Sequence, residues 1–113
     1  MPLKSTQMSR NLKSEYEQII SQKPIMLIMK GTKLWPQCGY SAKALDILNF
    51  YNVDFDTFDI LSDEELRVAI REFSAWPTYP QIYVNAELIG GSDVLEELHK
   101  QNKLAAILST AQN

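Results

Sequence analysis

The sequence predicts an α/β fold, a four-stranded mixed sheet flanked by helices on both faces. Three observations carry that prediction. The five-residue apolar run Ile25–Met29 shows no polar alternation, as expected of a strand covered on both sides. Segments of helical period lie on either side of it, at residues 10–22 and 39–51, and an alternating stretch at 53–59 completes a strand–helix–strand unit. Two short apolar runs around Asn85-Ala86 then read as a hairpin.

Residues 1–9 read as a loose polar terminus. In residues 10–22, Leu12, Tyr16, Ile19 and Ile20 recur at i, i+4, i+7 and i+8 and give one apolar helical face. Pro24 stops that helix. Residues 31–37 form a loop whose final turn is set by Pro36, and a helix follows from Gly39 to Tyr51 with Ala42, Leu45, Ile47 and Leu48 inward. The stretch 53–59 sets Val53, Phe55 and Thr57 against Asp54, Asp56 and Phe58, an imperfect strand pattern. Ser62-x-x-Glu65 reads as a capping box opening a third helix through Phe73, with Leu66, Ile70 and Phe73 on one face. W-P-T-Y-P at 76–80 is too proline-rich for regular structure. Strands at Gln81–Val84 and 87–89 flank the hairpin turn. Gly90-Gly91 then leads to Ser92 as N-cap of a helix from Asp93 to about Gln101, and a last short helix covers 104–110. With no repeat, linker or second core in view, residues 1–113 are expected to form a single domain. A strand–helix–strand unit implies a parallel pair with a right-handed crossover, and the hairpin adds antiparallel strands. That order is the layout of a thioredoxin-like domain.

Composition narrows the function classes. Apolar residues at 45% and charged residues at 22% suit a globular domain able to bury a core without staples. No apolar run approaches bilayer length, and the N-terminus carries no apolar signal core, so neither membrane anchorage nor export is expected. One cysteine cannot form an internal disulfide and suits a reducing compartment, so a cytoplasmic location is expected. The net charge of −3 conceals an asymmetry: seven Lys/Arg stand against two acids in residues 1–43, and four against twelve in residues 44–113. Lys30, Lys33 and Lys43 surround the cysteine and suit a small anionic thiol or an acidic partner. Nucleic acid is not an expected partner, because no basic run is interleaved with aromatics.

The chain is organised around residues 30–41, K-G-T-K-L-W-P-Q-C-G-Y-S. Cys38 falls between the buried strand and a helix start, where unpaired N–H groups and the positive end of the helix dipole favour thiolate over thiol. Such a sulfur is a nucleophile or a metal ligand. A small buried hydrophobe is the other reading, and position leaves both open.

Three motifs in register go further. M-K-G followed by P-Q-C-G-Y-S, then W-P-T-Y-P-Q-I-Y-V, then L-I-G-G-S-D, resembles the monothiol glutaredoxins over about residues 19–108. C-G-Y-S is close to the family's C-G-F-S, and seven residues separate Lys30 from Cys38, a longer loop than in the dithiol members with C-P-Y-C. The chain departs from the pattern in having Tyr40 for the usual Phe, Trp35 beside Pro36, and Ser92 where some relatives place a second cysteine.

The resemblance implies specific roles. Cys38 would be the working sulfur, attacking a disulfide or binding iron. Lys30 would lower the thiol pKa and pair with a carboxylate of glutathione, although a lysine ending a strand can equally be solvated. Tyr40 lies beside the thiol and joins the glutathione-contacting set. The bond between Tyr79 and Pro80 is expected to be cis, freeing the Tyr79 backbone to pair with an extended tripeptide as an added strand would. The Ser92 N–H at a helix start would take one glutathione carboxylate, Asp93 the ammonium group, and Arg67 a second carboxylate, helix capping and solvation being the plainer alternatives. His99 has no cysteine or acid at ligand spacing and reads as surface, and Trp76 is expected to pack under the Pro80 loop.

One thiolate cannot hold a [2Fe–2S] cluster, which takes four such ligands. Two chains and two glutathiones would, matching the glutathione-ligated cluster that bridges a homodimer in this family and is passed to apo iron–sulfur proteins, with a BolA-like protein as a further partner. The alternatives are glutathione-dependent thiol–disulfide exchange, of which the family's long loop implies only weak activity, and a thioredoxin-like interaction module with an incidental cysteine.

Overall fold

A computed structural model describes residues 10–111. The terminus expected to be loose, residues 1–9, lies outside the described residues. Helix α1 (Leu12–Ile20) is followed by β1 (Ile25–Met29), α2 (Gly39–Phe50), β2 (Asp56–Asp59), a 3₁₀ turn (Ile60–Ser62), α3 (Glu64–Ser74), β3 (Gln81–Val84), β4 (Glu87–Gly90), α4 (Ser92–Lys100) and α5 (Leu104–Leu108). The strands form one sheet in the order β2-β1-β3-β4. β1 runs parallel to β2, and both the β1–β3 and β3–β4 pairs are antiparallel. This is the mixed, thioredoxin-like sheet that the sequence predicts.

All five residues of β1 are buried, as a central strand covered on both faces requires. Strand alternation then divides the core. Ile25, Leu27 and Met29 pack with Leu45 and Leu48 of α2, Leu95 of α4 and Leu104 of α5. Met26 and Ile28 point the other way, to Tyr16 and Ile20 of α1 and Leu66 and Ile70 of α3. The Asn85-Ala86 turn has positive φ at both residues (53° and 65°), the backbone that matches the twist of a two-residue hairpin.

Several local expectations shift. The third helix is capped by Asp63, whose Oδ1 accepts the Leu66 N–H at 3.1 Å, and not by Ser62. Asp59 accepts the Leu61 N–H at 2.9 Å and winds a 3₁₀ turn ahead of the helix, within which the Ser62 hydroxyl donates to the Asp59 carbonyl at 2.6 Å. Glu65 turns instead to Arg10 at 2.8 Å. Ser92 is likewise not an N-cap: Gly91 holds that position and Ser92 is the first helical residue. Gly90 takes φ +151° and redirects the chain before the serine is reached. On α2 the buried small residues are Ser41 and Ala44, while Ala42 is only half-buried. Phe73 stays 39% exposed at the rim, its ring 5.6 Å from that of Tyr16. β2 covers only the second half of the alternating stretch, although Phe55 just before it is buried in the first core cluster.

Candidate functional site

The loop between β1 and α2 is closed by its own backbone. Gln37 N–H donates to the Lys30 carbonyl at 2.9 Å, Thr32 N–H to the Trp35 carbonyl at 3.1 Å, and Trp35 N–H to the Thr32 hydroxyl at 3.0 Å. Gly31 sits at φ +97°, and a Cβ there would lie 2.3 Å from the Trp35 carbonyl oxygen, so only glycine closes this loop. Its N–H is held by Asp59 at 2.9 Å, and Lys33 reaches the Phe55 carbonyl at 2.8 Å with its ammonium 4.3 Å from the ring centroid. The closed loop delivers Cys38 as N-cap of α2, half-buried.

Burial pushes the Cys38 pKa up and is the largest single influence on it. The backbone N–H groups of Ser41 and Tyr40, the Ser41 hydroxyl and the positive charge of Lys30 together outweigh that effect, so the thiol lies below its ordinary value. Lys30 thus acts in the expected direction, but the helix start contributes more. Ser41, fully buried, also accepts the Lys30 N–H at 3.0 Å and ties the strand end to the helix start. The motifs point to no role for Ser41; its one signal in the sequence is a hydroxyl within the first helical turn after the cysteine.

Cys38 opens onto a groove of about 470 Å³, within the usual range for small-molecule sites. The eight residues singled out from sequence, Lys30, Cys38, Tyr40, Arg67, Tyr79, Pro80, Ser92 and Asp93, all line it. They come from the end of β1, the start of α2, α3, the loop before β3 and the start of α4, five places far apart in the chain. Tyr40 is 61% exposed at the edge. The Tyr79–Pro80 bond is cis, as expected. Tyr79 is buried and its hydroxyl donates to the Arg67 carbonyl at 2.7 Å; burial raises its pKa to about 12, so it remains a neutral strut. Ser92, buried at the first position of α4, presents an N–H from the turn of a helix in which such groups lack intrahelical acceptors.

Arg71 also lines the groove. It follows Arg67 by four residues on α3, a spacing that places both guanidinium groups on one face and was open to view in the sequence. Trp76 is part of the groove wall as well as packing near Pro80: a Cβ added at Gly91 would lie 3.3 Å from both the indole nitrogen and the Pro80 carbonyl oxygen. The close approach of these three elements leaves little room for a side chain at position 91. His99 is not a free surface residue. It is half-buried, its Nδ1 2.5 Å from the Tyr51 hydroxyl, and its ring lies edge-on to Phe50 and Tyr51, away from the groove. Among the described residues no helix is long and apolar enough to cross a membrane.

Comparison with known proteins gives a consistent result. The glutaredoxin family profile matches residues 25–89, more than half of the chain. An uncharacterized monothiol glutaredoxin, ycf64-like, of Synechocystis sp. is 44% identical over 92% of this chain and 97% of its own length. The mitochondrial monothiol glutaredoxin-5 of Schizosaccharomyces pombe is 47% identical over 89% of this chain and 71% of its own. Among solved structures, reduced apo GrxS14 of poplar superposes with a TM-score of 0.79 at 36% identity, covering 92% of this chain and 95% of that one.

Proposed function

The chain belongs to the monothiol glutaredoxins, and from that premise we propose that it holds glutathione in the Cys38 groove and carries a [2Fe–2S] cluster as cargo between two copies of itself. The carrying observation is a lone thiol with a lowered pKa in a groove lined by Lys30, Arg67 and Arg71 and by the start of α4. In this reading Lys30 and Arg67 pair with carboxylate, the Ser92 N–H takes the second carboxylate, and Asp93 holds the ammonium group. The Tyr79 backbone beside Pro80 pairs with the tripeptide main chain, and Tyr40 closes the edge.

The donor set fits a shared cluster and not a self-contained one. Cys38 is the only thiol of the chain, and among the described residues no group of three or more His, Cys, Asp and Glu stands ready for a metal. Two Cys38 thiolates and two glutathione thiols make up the four soft ligands that such a cluster takes. Half the ligands are then small and exchangeable, which suits delivery to apo iron–sulfur proteins, with a BolA-like protein as a further partner. We read residues 1–113 as one glutaredoxin domain acting in the cytoplasm, a reducing compartment in which a lone thiol persists.

The test is anaerobic reconstitution with iron, sulfide, cysteine desulfurase and glutathione. A coloured dimer that requires both glutathione and Cys38 is expected. No coloured dimer, or one formed equally by Cys38→Ser, overturns the reading. A second reading is favoured by the lowered Cys38 pKa. The thiolate attacks the glutathione sulfur of a protein–glutathione disulfide, the protein leaves as thiolate, and a second glutathione thiolate attacks the Cys38–glutathione bond to release oxidised glutathione and the Cys38 thiolate. Turnover of a glutathionylated protein at rates typical of dithiol glutaredoxins would promote it to first place. Full function in Cys38→Ser would leave only the interaction module.

A further inference from the structure

We infer that Gln81 is the positioning residue for the 76–80 wall of the groove, acting at the end of a buried donor chain that starts at Tyr16. The inference rests on the reading that glutathione occupies this groove.

Gln81 opens β3 and is fully buried. Its Nε2 lies 3.2 Å from the Ser74 hydroxyl, 3.3 Å from the Trp76 carbonyl and 3.4 Å from the Thr78 carbonyl. Carbonyls only accept, so the amide nitrogen faces them and the orientation of the side chain is decided. Two amide hydrogens serve three acceptors, so at least one is shared and each bond is long. Oε1 must then accept, and the Tyr83 hydroxyl donates to it at 2.7 Å. With its proton committed, Tyr83 can only accept from Tyr16, whose hydroxyl lies 2.8 Å away. The donors therefore run in one direction, from α1 through β3 into the loop, an arrangement in which each bond polarises the next. Burial holds the Tyr83 pKa far above its ordinary value, so this hydroxyl keeps the proton it donates.

The loop needs this support. Pro77 and Pro80 contribute no N–H, which leaves the segment few means of bonding to itself. The Ser74 hydroxyl also receives the Trp76 N–H at 3.2 Å, so one acceptor anchors both the loop and Gln81. Trp76, Thr78, Tyr79 and Pro80 all face the groove, whereas Gln81 itself does not line it. Its effect on a ligand passes through the loop.

The experiment is NMR titration of the full reduced chain with glutathione, for wild type, Gln81→Leu, Tyr83→Phe and Tyr16→Phe. Leu108→Ala, in the opposite core cluster, serves as a control for loss of stability. Expected is about tenfold weaker binding in Gln81→Leu and a smaller loss in Tyr83→Phe, with amide shifts concentrated at residues 75–80. The pH profile of Cys38 alkylation should stay unchanged, because that sulfur is set by Ser41, Tyr40 and Lys30. If wild type does not bind glutathione, the functional reading itself fails. If wild type binds and Gln81→Leu binds equally, or loses no more than Leu108→Ala, the positioning role is overturned. Should Gln81→Leu not fold, Tyr83→Phe decides, and unchanged affinity in that variant overturns the inference.

Discussion

The two faces of the sheet are built from different materials. The face under α2, α4 and α5 is filled chiefly by Ile25, Leu27, Met29, Leu48, Leu95 and Leu104, with the ring of Phe55 beside them, side chains that carry no hydrogen-bonding group. The face under α1 and α3 holds Tyr16, Tyr79 and Tyr83 among its apolar residues, each with a hydroxyl in a specific hydrogen bond. Among the described residues the buried polar side chains are Ser41, Gln81 and Ser92, and each adjoins or supports the groove. The contrast separates two tasks. Aliphatic packing supplies stability through non-directional burial, while a binding wall must be held in one geometry, for which bonds with direction are suited.

Variants can break or sharpen that contrast. Leu48→Ala, at a fully buried site of the aliphatic face, should cost about 2–5 kcal/mol in urea unfolding while glutathione titrates as in wild type. A comparable loss of affinity would show that the faces are not separable. Tyr83→Phe keeps the ring but leaves the Gln81 oxygen without its donor; about 1–3 kcal/mol should be lost in the same unfolding measurement. Ser41→Ala should cost less stability but move chemistry. It removes a stabiliser of the Cys38 thiolate, so the pKa rises toward the ordinary thiol value and the midpoint of iodoacetamide alkylation shifts to higher pH. A downward or absent shift would contradict the account of the thiol.

The smallest effect is expected at the outer edge of the tyrosine face. There Arg10 bridges Glu15 and Glu65 at 2.8 Å and Asp63 at 2.5 Å, tying α1 to α3. The hydrogen bonds from Arg10 hold the Glu15 and Asp63 carboxyls below their usual range. Groups with lowered folded-state pKa contribute stability above the unfolded carboxylate value of about 4 and lose it as pH falls through the folded value. Arg10→Ala should therefore be modestly less stable than wild type at neutral pH, the gap closing under acid, as pH-dependent urea midpoints would show. Solvent exposure keeps the effect small, and added salt should shrink it.

Legibility in the sequence followed range. β1, α2 and the hairpin were readable because each is specified by neighbours: an unbroken apolar run, a helical period, two residues between strands. The groove residues were readable because their motifs keep family spacing. The caps were not. Ser62 and Ser92 are good N-cap residues by type, yet Asp59 and Gly90 decided where the chain turned, and each answers to a partner or a bend that the serine does not reveal. His99 was misread as surface for the same reason, since Tyr51 lies 48 residues away in sequence.

What the sequence determined by itself was the order of elements, the membership of the family and the lone thiol at residues 30–41. What only the tertiary structure decided was which groups lower that thiol's pKa and how its groove is held. The lowering of the Cys38 pKa depends on Ser41, Tyr40 and Lys30 meeting at the junction of a helix and a strand. The wall opposite depends on a hydroxyl of Tyr16 that is 65 residues from Gln81, through Tyr83. Local patterns encode periodicity and propensity, whereas the direction of a hydrogen bond exists only once its donor and acceptor have been brought together.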